Sequence, residues 1–138
     1  MAEAGVVAVG LPLASVYLSQ SPMPARRLIQ SGVPVAVATD FNPGSAPSYH
    51  LPFALTLACT LLRMTPAEAL KGATIFAARA VGMERTVGSL EAGKQADFAI
   101  IDAPDLNHWL YHLRPNACVV AAVGGVPRWS VDPAILPV

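Results

Sequence analysis

Asp40 carries the strongest chemical signal in this sequence. It follows the hydrophobic run Val33-Pro34-Val35-Ala36-Val37-Ala38 and belongs to Thr39-Asp40-Phe41-Asn42-Pro43-Gly44-Ser45. A carboxylate at the end of a buried strand is costly without a ligand or partner. At the carboxyl end of a parallel strand it can bind a divalent metal or accept a proton. A structural role is the alternative, in which Asp40 caps its own turn through Ser45 or a backbone amide. Residue types and spacing alone leave both readings open.

Other patterns imitate functional motifs. Gly88-Ser89-Leu90-Glu91-Ala92-Gly93-Lys94 fits GxxxxGK, the loop that cradles phosphates. Such a loop needs Ser or Thr next and a helix whose N-terminus faces the phosphates. Gln95 stands there instead, and residues 98–102 read as a strand, so the glycines read as turn residues. His108 and His112 are four apart, a metal-ligand spacing on a helix. Only Trp109, Leu110 and Tyr111 lie between them, and the pair reads as surface or packing histidines. His50 reads the same way. Leu51, Leu55, Cys59 and Leu62 recur at helical spacing and form an apolar face, not a cofactor box. Cys59 and Cys118 form no CxxC pattern and read as free, buried thiols.

The elements that must position Asp40 follow from the hydrophobic pattern. Val6-Val7-Ala8-Val9 and residues 33–38 are β-branched runs of the kind buried on both faces of a parallel sheet. Residues 25–30 between them read as a helix stopped by Ser31-Gly32, which makes a βαβ unit with Asp40 at its carboxyl end. Residues 51–64 predict an apolar helix. Thr65-Pro66-Ala67-Glu68 then predicts a capping box, opening a helix that continues to residue 81 and stops at Gly82. Residues 87–90, 98–102, 119–123 and 126–129 read as short strands. The change of texture sets an expected boundary near residue 86, giving units 1–86 and 87–138.

The chain has 138 residues, 54% of them hydrophobic and only 13% charged, against about 25% charged in ordinary domains. That excludes intrinsic disorder and implies either that surface is hidden against something else or that the sequence is part of a larger chain. Nine basic residues balance nine acidic ones, so neither a nucleic-acid surface nor a polybasic membrane patch is expected. No apolar stretch approaches the roughly 20 residues of a membrane-spanning helix. Met1-Ala2-Glu3-Ala4 carries no positive n-region, so the expected location is cytoplasmic.

Residues 32–45, Gly32-Val33-Pro34-Val35-Ala36-Val37-Ala38-Thr39-Asp40-Phe41-Asn42-Pro43-Gly44-Ser45, closely resemble the imidazolonepropionases, a family of metal-dependent amidohydrolases. The resemblance continues through Leu57-Ala58-Cys59-Thr60-Leu61-Leu62-Arg63-Met64-Thr65-Pro66-Ala67-Glu68-Ala69 and resumes over residues 87–102. Gly88-Ser89-Leu90-Glu91-Ala92-Gly93-Lys94-Gln95-Ala96-Asp97 is shared by many amidohydrolases; the Asp40 loop with Ala58-Cys59-Thr60-Leu61-Leu62 points to the one family.

The resemblance implies an α/β fold: the last two strands and helices of a (β/α)8 barrel in residues 1–86, and part of a small β-sandwich in residues 87–138. It implies that Asp40 ligates one divalent metal, zinc or iron, and takes a proton from water. It implies that Asn42, Gly44 and Ser45 hold the substrate's polar groups. The implied reaction opens the cyclic amide of 4-imidazolone-5-propanoate to N-formimidoyl-L-glutamate, in histidine degradation. The implied partners are this small molecule, the N-terminal part of the barrel and, once complete, a second copy in a homodimer. Two departures stand out. Phe76 sits where the family usually has Asn, and none of His50, His108 or His112 matches the family's metal-binding histidines. The chain alone is therefore expected to be inactive. Alternatives are a dihydroorotase-like or hydantoinase-like enzyme, or a non-catalytic truncated α/β module.

Overall fold

The computed structural model describes residues 3–113 and 116–136. Strands β1 (Ala8–Gly10) and β2 (Val35–Val37) pair in parallel, Ala8 opposite Val35 and Gly10 opposite Val37. Helices α1 (Pro12–Tyr17) and α2 (Ala25–Gln30) form the crossover between them, as a parallel pair requires. β1 begins two residues later than the valine run predicts. Its first bond runs from the Ala8 amide to the Pro34 carbonyl, 3.0 Å, and Pro34 has no N–H to carry the ladder further back.

Beyond β2 the chain forms α3 (Leu51–Thr60), α4 (Pro66–Ala73) and α5 (Ile75–Ala80). Leu55, Leu62 and Val35 are essentially inaccessible and belong to one core cluster with Val33, Val37, Ala54, Met64 and Ala69. Helix α4 lies close on β2: a Cβ on Gly72 would come within 3.0 Å of the Val35 carbonyl oxygen and of Val37 Cγ2. The predicted capping box is present. Thr65 Oγ1 accepts from the Glu68 amide at 3.2 Å, and Glu68 Oε2 accepts from the Thr65 amide at 2.8 Å. Arg26 of α2 makes a bidentate ion pair with Glu68 and also donates to the Arg63 carbonyl. This joins the crossover to α4. The guanidinium's hydrogen bond is the main cause that holds the Glu68 carboxyl below its ordinary value.

Two expectations for this region are corrected. The helix predicted from Pro66 through residue 81 breaks at Thr74, whose φ of −122° and ψ of −90° leave the helical region. The Thr74 hydroxyl bonds back to the Leu70 carbonyl at 2.7 Å, a competing bond that bends helices. The turn at Gly88 nests against the break, within 3.0 Å of the Thr74 carbonyl for an added Cβ. α5 does end as predicted: Gly82 takes φ +72°, and Met83 donates to the Ala78 carbonyl, closing the last turn. The second correction concerns residues 87–90, which form bends and not a strand. The Val87 amide donates to the Met83 carbonyl, and Gly88 takes φ +93°. Among the described residues no strand pairs with them.

A second sheet holds β3 (Phe98–Ile101), β4 (Cys118–Val123) and β5 (Val126–Ser130), antiparallel in that order. Between β3 and β4 the chain forms α6 (Leu106–Tyr111), which packs on α3 and α4. Leu110 of α6 is buried in the core cluster, and Thr56 of α3 donates to its carbonyl at 2.9 Å. Phe76 is half-buried and lines a cavity beside the start of β2 together with Ile29, Val33, Met64 and Glu68.

A candidate active-site loop at the end of β2

The pairing of β1 with β2 continues one bond past the strands, from the Ala38 amide to the Gly10 carbonyl at 3.1 Å. The backbone then turns at Asp40, which adopts φ +55°. A non-glycine residue in this left-handed region costs about 1–2 kcal/mol. Asp and Asn tolerate it best, and such strain collects at functional sites.

Asn42 organises the rest of the loop. Its Oδ1 accepts from the Gly44 amide at 2.9 Å and the Ser45 amide at 2.8 Å. Its Nδ2 donates to the Asp40 carbonyl at 2.6 Å and to Ser45 Oγ at 3.0 Å. The Asn42 and Ala46 backbones bridge, with Ala46 buried beneath. The turn-capping role that the sequence left open to Asp40 thus belongs to Asn42. Asp40 is exposed, and among the described residues no group donates to its carboxylate.

The sequence places Asp40, Asn42, Gly44 and Ser45 on one loop, and the structure keeps them together. It also shows the Asn42 amide group and the Gly44 N–H committed to the loop itself, so a ligand reaching them would have to displace a loop bond. Two features were not legible. Phe41 and Tyr49, 60% and 79% exposed, meet edge-to-face with ring centroids 5.5 Å apart at either end of the loop. His50 caps α3, its Nδ1 accepting from the Phe53 amide at 3.2 Å. The position of His50 directly before Leu51-Pro52 was the available signal, since proline favours the first helical turn.

A catalytic zinc takes three protein ligands. Among the described residues no group of three His, Cys, Asp or Glu side chains is placed to hold a metal, so the residues present do not make a metal centre by themselves. Cys59 and Cys118 are free. Burial, with a smaller effect from the Glu68 charge, pushes the Cys59 thiol up, which makes it a poor nucleophile. Among the described residues no helix is long and apolar enough to cross a membrane.

A strand-end aspartate on a parallel βαβ unit is an arrangement that hydrolases of barrel type use, and the amidohydrolase family pattern matches residues 1–126. The chain belongs to the amidohydrolase family. Among curated relatives, it is 50% identical over 125 residues to an imidazolonepropionase of Geobacillus thermodenitrificans, covering 91% of this chain and 30% of that protein. It is 53% identical over 133 residues to an imidazolonepropionase of Symbiobacterium thermophilum, covering 96% and 31% respectively. The chain therefore spans about 30% of the length of these relatives. A zinc-bound adenosine deaminase from Xanthomonas campestris superposes with a TM-score of 0.85 at 27% identity, covering 94% of this chain and 33% of that one. Escherichia coli guanine deaminase shares the fold, with a TM-score of 0.79 at 18% identity over 95% of this chain and 36% of that one.

Proposed function

We propose that this chain supplies the Asp40-bearing part of an imidazolonepropionase. In this reading residues 1–86 close a (β/α)8 barrel and residues 87–138 contribute to a small sandwich domain. The observation that carries the proposal is the Asp40 carboxylate: it is held in a strained backbone at the end of β2 and left unused by its own loop. The relatives' imidazolonepropionase names select the reaction from among those of the family.

The substrate is 4-imidazolone-5-propanoate. Water's oxygen bonds to the ring carbonyl carbon, the ring C–N bond breaks and the nitrogen takes a proton, giving N-formimidoyl-L-glutamate. Asp40 accepts the proton that the attacking water gives up. Asn42, Gly44 and Ser45 shape the wall against which the substrate's polar groups lie, the Ser45 hydroxyl being held in the loop by its own bond to Asn42 Oδ1 at 3.2 Å. A divalent metal, zinc or iron, belongs to the completed site. Asp40 is the one candidate ligand this loop brings, so the other ligands come from outside the described residues.

The test is a chimera in which residues 3–136 replace the matching part of the Geobacillus thermodenitrificans relative. The folded chimera should open the imidazolone ring. Asp40→Asn should remove turnover by several orders of magnitude while the thermal transition stays in place, because shape is kept and the proton acceptor is lost. A folded chimera without activity, or normal turnover by Asp40→Asn, overturns the proposal.

A further inference from the structure

The Asp40 carboxylate draws no donor from the described residues, so its direction must come from its backbone. We propose that Asn42 is the positioning residue for Asp40: it ties the Asp40 carbonyl to the Gly44 and Ser45 amides and so sets where the carboxylate points. The proposal rests on the reading of Asp40 as proton acceptor. On the strand side the backbone is fixed by the Ala38 amide, which donates to the Gly10 carbonyl at 3.1 Å. On the loop side the fixed point is the Asp40 carbonyl, which accepts from Asn42 Nδ2 at 2.6 Å. Between these two points the chain runs only through Thr39 and Asp40, and Asp40 lies at φ +55°. A left-handed residue of this kind persists only where its surroundings hold it. Among the described residues, the bond from Asn42 is the only hydrogen bond that reaches Asp40.

The Asn42 amide group can lie only one way round. Oδ1 faces the Gly44 and Ser45 amides at 2.9 and 2.8 Å, and these only donate. Nδ2 faces a carbonyl, which only accepts. The far end of the strap is firm: the Asn42 amide donates to the Ala46 carbonyl at 3.1 Å, and Ala46 belongs to the buried core cluster. Asn42 thus transmits the position of the core to the one carboxylate the loop presents. A group held this way affects turnover through Asp40, not through its own contact with substrate.

The experiment compares Asn42→Asp and Asn42→Ser with the parent. Both side chains can accept from the amides that follow and keep the turn, Ser more weakly. Both lose the donor that reaches Asp40, and only the first adds charge. A positive φ brings a residue's own N–H and Hα close together. The 138-residue chain should therefore show a strong NOE between them at Asp40. Both variants should weaken it while the thermal transition stays in place. In the folded chimera, both should cut kcat by up to about a hundredfold, the scale of a misplaced reacting group, with KM held. An unchanged NOE, an unchanged kcat or a loss confined to KM would each overturn the proposal. So would a loss in Asn42→Asp alone, since charge and not position would then be its cause. The NOE needs no turnover: an inactive chimera ends the imidazolonepropionase reading, and the strap on Asp40 is then judged on the NOE alone.

Discussion

Asp40 shows how a residue's backbone and side chain can be judged separately. Its φ of +55° constrains what can replace it: Asn tolerates this region and a β-branched residue does not. Asp40→Val should therefore destabilise the chain by about 1–2 kcal/mol, whereas Asp40→Asn should leave the denaturation midpoint unchanged. Equal midpoints for the two variants would contradict a backbone origin for the cost. The candidate status of Asp40 was legible because a carboxylate directly after a buried apolar run has few innocent explanations. The division of labour with Asn42 was not. Asp and Asn form the same side-chain turns, and only the bonds from Gly44 and Ser45 to Asn42 Oδ1 show which of the two took that role.

At the level of elements, local signals succeeded where a single chemistry decided the outcome. Thr65-Pro66-Ala67-Glu68 capped its helix as its residue types require, and residues 25–30 formed α2. The break at Thr74 coincides with two features that the apolar pattern does not report, the hydroxyl bond back to Leu70 and the turn at Gly88, 14 residues away and folded against it. Residues 87–90 failed as a strand because strand propensity needs a partner edge. The Arg26–Glu68 pair, equally non-local, makes its own prediction. The Glu68 carboxyl is held below its ordinary value, chiefly by the Arg26 hydrogen bond. Its stabilising effect is thus complete above the ordinary carboxylate range and is lost as pH falls through the lowered value. Glu68→Gln should be less stable than the parent at neutral pH, by about 0.5–1 kcal/mol for a partly exposed pair. The gap should close below about pH 4. Urea midpoints measured across pH 3–7 check this, and a gap that persists unchanged at pH 3 would refute it.

At the scale of the whole molecule, the low charge noticed in the sequence corresponds to apolar surface left in view. Val9 on β1 is 45% exposed and Ile100 on β3 is 48% exposed. β1 and β2 pair only with each other among the described residues, and a two-stranded sheet is marginal by itself. The purified chain should therefore bind a hydrophobic dye and elute larger than its 14.4 kDa mass, as surfaces of this kind associate. A monomeric, dye-silent chain would show that these faces need no cover. The first sheet ends with β2 and the second begins with β3, and α6 returns from the second sheet to bury Leu110 in the core cluster beside α3. The consequence is cooperative. Opening the second sheet far enough to release α6 would uncover the core around Leu55, so the two sheets should share one unfolding event, with amide exchange in β4 and in α3 slowed to the same degree.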